Sequence, residues 1–317
     1  MSGSETTNAA AQPHHLSAGA LLMLAGLCLF WGLNWPAMRV TVAEIPPWHY
    51  RVLCLGIGGA ALLMIAFLRG QRVSVPRNEW LRLIVASVSF QTCWQMLTAI
   101  GLQSVDSGRG GILAFTMPLW AAILAGPVLG ERLDIRRWSA VSIGIAGLAL
   151  LVLPAIDRPG ASPFGSLIIL GASWGWCLGT LILKKYTWSI PAVSMAGWQL
   201  LIAVVPIVGG MSIFEADVSF RVTLSDMSQR AWLWLAFTLS VPMVFCQFAW
   251  FRLVELLPAN IASLCMLAVP VVGLVSGWLI LDEVVTLTDV MAMGLIVTAL
   301  ALVLIVPAKP DPGPVAR

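Results

Sequence analysis

The chain has 317 residues, of which 59% are hydrophobic and only 10% charged, whereas a soluble domain carries about 25% charged residues. That leaves too little polar surface for a soluble domain. The formal net charge of +3, with no long basic run, gives no electrostatic footprint for a nucleic-acid partner, so a lipid bilayer is the expected surrounding.

The first seventeen residues are rich in Ser, Thr, Ala and Asn and hold no Lys or Arg. They read as a disordered tail, and the apolar block that follows is too long for a signal-peptide core, so no cleavage is expected. Blocks near the ~20 residues that span a bilayer core then follow one another along the chain. They run Ala18 to Met38, Trp48 to Leu68, Trp80 to Leu102, Gly110 to Leu129, Ile135 to Leu153, Phe164 to Leu183, Pro191 to Met211, Trp232 to Leu253, Ile261 to Leu281 and Val285 to Val306. The reading is an all-α integral membrane protein of ten transmembrane helices. It divides into a five-helix repeat over 18–153 and a second over 164–306, with tails at 1–17 and 307–317. The longest connection, Ser212 to Arg230, is the expected place for a mobile or amphipathic surface segment.

Trp80, Gln95, Pro118 and Glu131 recur as Trp232, Gln247, Pro270 and Glu283, each pair 152 positions apart. Rare residue types falling in one register point to a duplication, and two related halves rocking about a midplane site is a common transporter design. Lys and Arg collect on the cytoplasmic side of membrane proteins. With the N-terminus inside, twelve of the eighteen fall inside and six outside, the latter being Arg39, Arg51, Arg109, Arg158, Arg221 and Arg230. Both termini are therefore expected in the cytoplasm. Five helices per half then places the repeats in inverted orientations.

The run Phe30-Trp31-Gly32-Leu33-Asn34-Trp35-Pro36, then Pro47 followed by Arg51, and Met117-Pro118-Leu119 with Gly130-Glu131-Arg132-Leu133 resemble the EamA-like branch of the drug/metabolite transporter superfamily. Ser173-Trp174-Gly175, Val269-Pro270-Val271 and Asp282-Glu283 look like the same signatures in the second half. The resemblance covers Ala18 to Val306. It implies a ten-helix inner-membrane carrier, usually an exporter of amino acids or related small metabolites, with a central cavity between the halves. The second half departs after Trp174, with Trp176-Cys177-Leu178 in place of Leu33-Asn34-Trp35, so any symmetric site must be uneven.

Polar residues inside apolar blocks cost free energy in lipid and should face the bundle interior or a wet cavity. Gln91, Trp94, Gln95 and Thr98 fall at i, i+3, i+4 and i+7 on one face of the third helix. Met243, Cys246, Gln247 and Trp250 hold the equivalent positions on the eighth, and Trp31, Asn34, Trp35 and Met38 share a face of the first. Phe115 and Thr116 lead into Pro118 on the fourth, and Trp174 lies on the sixth, where only one of Trp174 and Trp176 can point inward. Amides among aromatic walls suit a small zwitterionic or polar aromatic solute. Interhelical packing bonds, worth ~0.6 kcal/mol each in a membrane, are the alternative role for Gln95 and Gln247.

Pro118, Pro242 and Pro270 interrupt backbone ladders and are the candidate hinges. Glu131 and Glu283 close their helices and are expected to anchor loops. Arg109 is expected to snorkel to the outer interface, with a hold on a substrate carboxylate during release as the alternative role. No acidic residue falls near the centre of a block, which argues against proton exchange through a midplane carboxylate and for flux driven by substrate gradients. Six Cys without a Cys-x-x-Cys pair, and one His outside the tail, assemble no metal site. No phosphate-cradling glycine loop, zinc-protease motif or nucleophile turn is present, so no cofactor and no enzymatic activity are expected. The competing readings are a proton-coupled efflux pump, a non-transporting membrane bundle and an intramembrane enzyme. The sequence sets no oligomeric state, and a monomer would suffice.

Overall fold

The computed structural model describes residues 18–129, 135–152, 162–219, 224–256 and 259–304. The described residues are helical, with no strand among them. Glu131 and its Gly130-to-Leu133 signature lie outside the described residues, as do both tails.

The helices are α1 (Ala18–Val42), α2 (Pro47–Leu68), α3 (Trp80–Gly101), α4 (Ser107–Ala114), α5 (Met117–Leu129), α6 (Ile135–Val152), α7 (Pro163–Lys185) and α8 (Ala192–Phe214). Helix α9 starts with Gln229–Ser240 and continues through Val241–Cys246 into Gln247–Leu256. Helices α10 (Ala259–Leu281) and α11 (Leu287–Leu304) follow. Six of them, α1, α2, α3, α7, α8 and α9, are long and apolar enough to cross a membrane. Three more apolar stretches, Trp138–Val152, Leu267–Leu281 and Leu287–Leu302, are shorter.

Local sequence sets the boundaries. Pro47 and Pro163 occupy first helical positions, where the missing N–H removes no ladder bond. Ser162 and Ser228 accept hydrogen bonds from Gly165 N and Ala231 N and cap α7 and α9. Gly70, at φ 66°, turns the chain out of α2. Asp282 adopts φ 54° after α10, an unusual conformation that Asp tolerates better than most residues.

Backbone interruptions are more numerous than the sequence suggests. Helix α3 contains a π-helical turn at Val88–Thr92 and α9 another at Val241–Cys246, each just ahead of one repeated glutamine. Pro242 lies inside the second of these turns. The fourth apolar block breaks into α4 and α5 at Phe115 and Thr116, so Pro118 sits in the first turn of α5 rather than within a helix. Pro270 lies inside an uninterrupted α10.

The two halves interleave. Helix α2 packs on α8, α6 on α11, α1 on α10 and on the first part of α9, and α3 on α7. In a membrane such crossings depend on small residues that let backbones approach. A Cβ on Gly59 would lie 3.0 Å from Gly197 O, and one on Gly197 would lie 3.1 Å from Gly59 O, so α2 and α8 touch backbone to backbone. On α7, Gly175 and Gly179 admit the π turn of α3, where added Cβ atoms would meet Cys93 Cβ and Phe90 Cβ, each at 2.4 Å.

Hydrogen bonds sort the connections into two ends. At one end Glu215 accepts from Trp48 N (3.2 Å) and His49 N (3.1 Å), Glu44 from Ser228 N (2.7 Å), and Glu283 from Ser107 N (2.7 Å) and Gly108 N (3.0 Å). Glu215, at the start of the long connection after α8, is thus fixed to the start of α2. At the other end Glu79 accepts from Ser189 N (3.1 Å), Trp198 Nε1 donates to Val73 O (2.7 Å), and Arg82 lies over the Tyr186 ring.

Gly179→Ala is expected to lower stability by about 1–3 kcal/mol, because the backbone of Phe90 cannot yield to the new methyl. Gly209→Ala, where nothing lies within 4 Å of the added Cβ, should equal or exceed wild type. Thermal unfolding of the detergent-solubilised protein measures both.

Candidate functional site

A cavity lies between the halves, lined from α1 by Trp31, Asn34, Trp35 and Met38 and from α2 by Arg51. Helix α3 adds Gln91, Trp94, Gln95 and Thr98, and the α4–α5 break adds Phe115 and Met117. The second half contributes Trp176, Met243 and Gln247. Room for the centres of water-sized spheres amounts to about 60 Å³, where one buried water needs ~10–15 Å³. The cavity holds a few waters or one small solute.

Its walls are aromatic. Trp35, Trp94 and Phe115 form an edge-to-face triangle with all three centroid separations 6.4 Å, and Trp94 meets Trp176 edge-to-face at 4.5 Å. Such pairs contribute roughly 0.5–1.5 kcal/mol each beyond their buried area and fix the rings in place. The ring of Trp35 rests against Gly111 of α4 and Gly273 of α10.

Amides and one guanidinium provide the polar groups. Gln95 Nε2 donates to Gln91 Oε1 at 3.3 Å. In that orientation Gln95 Oε1 and the Gln91 amide nitrogen have no hydrogen-bond partner among the described residues. Thr238 Oγ1 donates to Asn34 Oδ1 at 3.4 Å and links α9 to α1. Arg51, 1% exposed, donates from Nε to Gln95 O (2.6 Å) and from Nη2 to Thr98 Oγ1 (2.9 Å) and to Met38 Sδ.

Of the residues singled out in sequence, Trp31, Asn34, Trp35, Gln91, Trp94, Gln95, Thr98, Phe115 and Gln247 come together here. Three do not. Trp250 packs behind Trp31 at 5.7 Å between centroids, outside the lining. Thr116 is buried at the helix break, donating to Leu113 O (2.7 Å), accepting from Trp120 Nε1 (3.1 Å) and contacting Ser173 Oγ (3.1 Å). Trp174 stacks on Trp120 at 5.1 Å and is 38% exposed, so Trp176 is the inward-facing partner of that pair.

Arg51, Met38, Met117, Trp176 and Met243 complete the lining. Arg51 and Arg109 both correct the expectation of outer loop residues. Arg109 does not snorkel: it is 5% exposed, donates from Nη2 to Leu151 O (2.6 Å) and pairs through Nε with Asp289 Oδ1 (3.2 Å). The sequence signal for Arg51 was an ionisable residue inside an apolar block, which by itself marks a functional candidate.

The profile of the EamA-like transporter family matches residues 18–153 and 163–305. The chain belongs to the EamA-like transporter family. It is 28% identical over 279 residues to "Uncharacterized transporter YoaV" of Bacillus subtilis (strain 168), covering 87% of this chain and 93% of that one. It is 25% identical over 288 residues to "Probable amino-acid metabolite efflux pump" of Escherichia coli (strain K12), covering 89% and 93%. A solved crystal structure shares the fold at a TM-score of 0.63 and 20% identity, covering 90% of this chain and 96% of that one. Family membership and the apolar spans make this EamA-like chain a multi-pass membrane transporter.

Removing one partner of a buried ion pair costs about 3–5 kcal/mol, whereas replacing both by apolar residues is often neutral. Asp289→Leu is accordingly expected to destabilise the protein by that amount, and adding Arg109→Met should restore most of it. Thermal unfolding of the single and double variants gives the comparison.

Proposed function

We propose that this protein is an alternating-access carrier exporting amino acids or related small polar or aromatic metabolites across the cell inner membrane. Its ten transmembrane segments form two inverted five-helix repeats with both termini in the cytoplasm. The observation that carries the reading is the cavity itself, built from both halves and containing Gln95 and Gln247 at the repeat interval of 152 residues. Two related surfaces closing on one site is the arrangement alternating access requires. The Escherichia coli relative whose name includes amino-acid metabolite efflux supports the solute class.

Coupling follows from the lining. Among the described residues no carboxylate lines the cavity, and the buried Asp289 is engaged by Arg109, Thr286 N (2.9 Å) and Thr286 Oγ1 (2.6 Å). Substrate gradients therefore drive flux in this reading, without a proton carried through the bilayer centre.

Proteoliposomes loaded with amino acids and related metabolites test the carrier reading. Efflux of at least one solute above protein-free vesicles is expected, and Gln95→Ala should reduce it about tenfold, the equivalent of ~1.4 kcal/mol of lost contact. The variant should still insert and stay monodisperse. Lost folding with unchanged specific transport would assign Gln95 to packing, and uphill accumulation driven by a pH gradient would overturn the coupling proposal.

Topology is checked separately. In a background without native Cys, a membrane-impermeant maleimide applied to intact cells should label Val284→Cys, between α10 and α11. It should leave Ser74→Cys, between α2 and α3, unlabelled. The reverse pattern would invert the assignment.

A further inference from the structure

A guanidinium stays protonated in any protein environment, and a buried charge without a counter-charge is strongly destabilising. Arg51 is buried in the cavity wall with no counter-charge. The ion pairs of the described residues are His49 with Glu215 and Arg109 with Asp289, and neither involves Arg51. Its three acceptors, a carbonyl, a hydroxyl and a thioether, are neutral, and the Tyr50 ring centred 4.9 Å from the guanidinium carbon adds a cation–π contact: together they orient the group without supplying a negative charge.

The orientation is informative. Nε and one Nη2 hydrogen are spent on α3, holding the guanidinium at one angle against Gln95 and Thr98. Nη1 has no hydrogen bond within the described residues, and it is not among the enclosed atoms that lack a partner. Its two donors are what the group offers to the cavity. The remaining Nη2 hydrogen points to Met38 Sδ, a weak acceptor. Exchanging that sulfur for a carboxylate oxygen would open the Nη1–Nη2 edge to a two-point, charge-assisted contact, the geometry in which Arg binds carboxylates best.

We infer that the solute carried by this protein presents a carboxylate to the Nη1–Nη2 edge of Arg51, with its apolar remainder against the indoles of Trp35 and Trp94. The inference rests on the carrier reading and narrows its solute class. The duplication supports the assignment of a single carboxylate. Helices α2 and α8 both start directly after a proline, Pro46 and Pro191, and in that alignment Ala196 stands where α2 has Arg51. The cavity therefore has one guanidinium, at a position its repeat does not match. An amino acid and a simple organic anion share this recognition chemistry, and the α-amino group separates them.

The test is binding, read from the fluorescence of the cavity indoles in protein held in nanodiscs. The probes are acetate, 4-methylpentanoate and 3-phenylpropanoate, each also as its primary amide, with leucine and phenylalanine as the amino-bearing arms. At least one carboxylate or amino acid is expected to bind saturably, about tenfold or more tightly than the amide of the same skeleton. Arg51→Gln should abolish that preference and Arg51→Lys should keep part of it. If Arg51→Gln is not monodisperse, the wild-type comparison and Arg51→Lys decide.

Amides binding as tightly as carboxylates on every skeleton, no saturable binding by any carboxylate, or a preference unchanged in Arg51→Gln would each overturn the inference. Tighter binding of leucine and phenylalanine than of the deaminated acids identifies zwitterions as the solutes, and the converse identifies simple anions. Flux of neutral solutes with no carboxylate preference would retain the carrier and remove the role of Arg51. Carboxylate binding without flux of any bound probe would do the opposite.

Discussion

Four glutamates tie the two halves together, three of them at a helix start and Glu79 at Ser189, in the turn ahead of α8. Glu44 and Glu79 of the first half accept from Ser228 N and Ser189 N of the second, while Glu215 and Glu283 of the second accept from the first turns of α2 and α4. A helix start leaves up to four N–H groups without intrahelical partners and carries a partial positive charge. Lipid supplies no partners for such groups, so a carboxylate from the opposing half satisfies the helix and fixes where the halves meet. The half-helix α4 needs this most, because it has only eight residues. Its start depends on Asp282 adopting φ 54° and on Gly277, where a Cβ would come within 2.3 Å of Glu283 Oε2.

The same constraint explains where the backbone can afford to be irregular. The α4–α5 break and both π turns all contribute residues to the cavity wall: Phe115 from the first, Gln91 and Met243 from the others. A π turn leaves a ladder position open and is common at functional sites. At the α4–α5 break, Thr116 Oγ1 and a backbone bond from Leu119 N to Thr116 O take up groups that an unbroken helix would have used internally. Irregular backbone at membrane depth is tolerated where it is enclosed by protein or lines a cavity.

What was legible in the sequence follows from periodicity. The face Gln91, Trp94, Gln95 and Thr98 could be read because helical spacing survives even beside the π turn, and Gln247 could be read through the repeat register. Buried charge was harder to read. Arg51 is the fourth residue of its apolar block and Arg109 just precedes one, so each looked like a loop-end cation, when tertiary partners had drawn both inward. Trp174 and Trp176 pose the same difficulty in milder form. Two indoles two positions apart on a helix cannot share a face, and only the stacking of Trp174 on Trp120 decides which one turns away.

The duplication gives this fold its frame, and divergence between the repeats makes its cavity uneven. Gln95 and Gln247 persist at matching positions, whereas Gln91 faces Met243 in the repeat and Thr98 faces Trp250. Arg51 bonds Gln95 through its backbone carbonyl and Thr98 through its hydroxyl. In the second half the position matching Arg51, counted from the helix start, is Ala196, and at the 152-residue interval the hydroxyl of Thr98 is replaced by the indole of Trp250, which packs behind Trp31. The cavity is therefore cationic on the first-half side alone, while the second half lines it with Trp176, Met243 and one amide, Gln247.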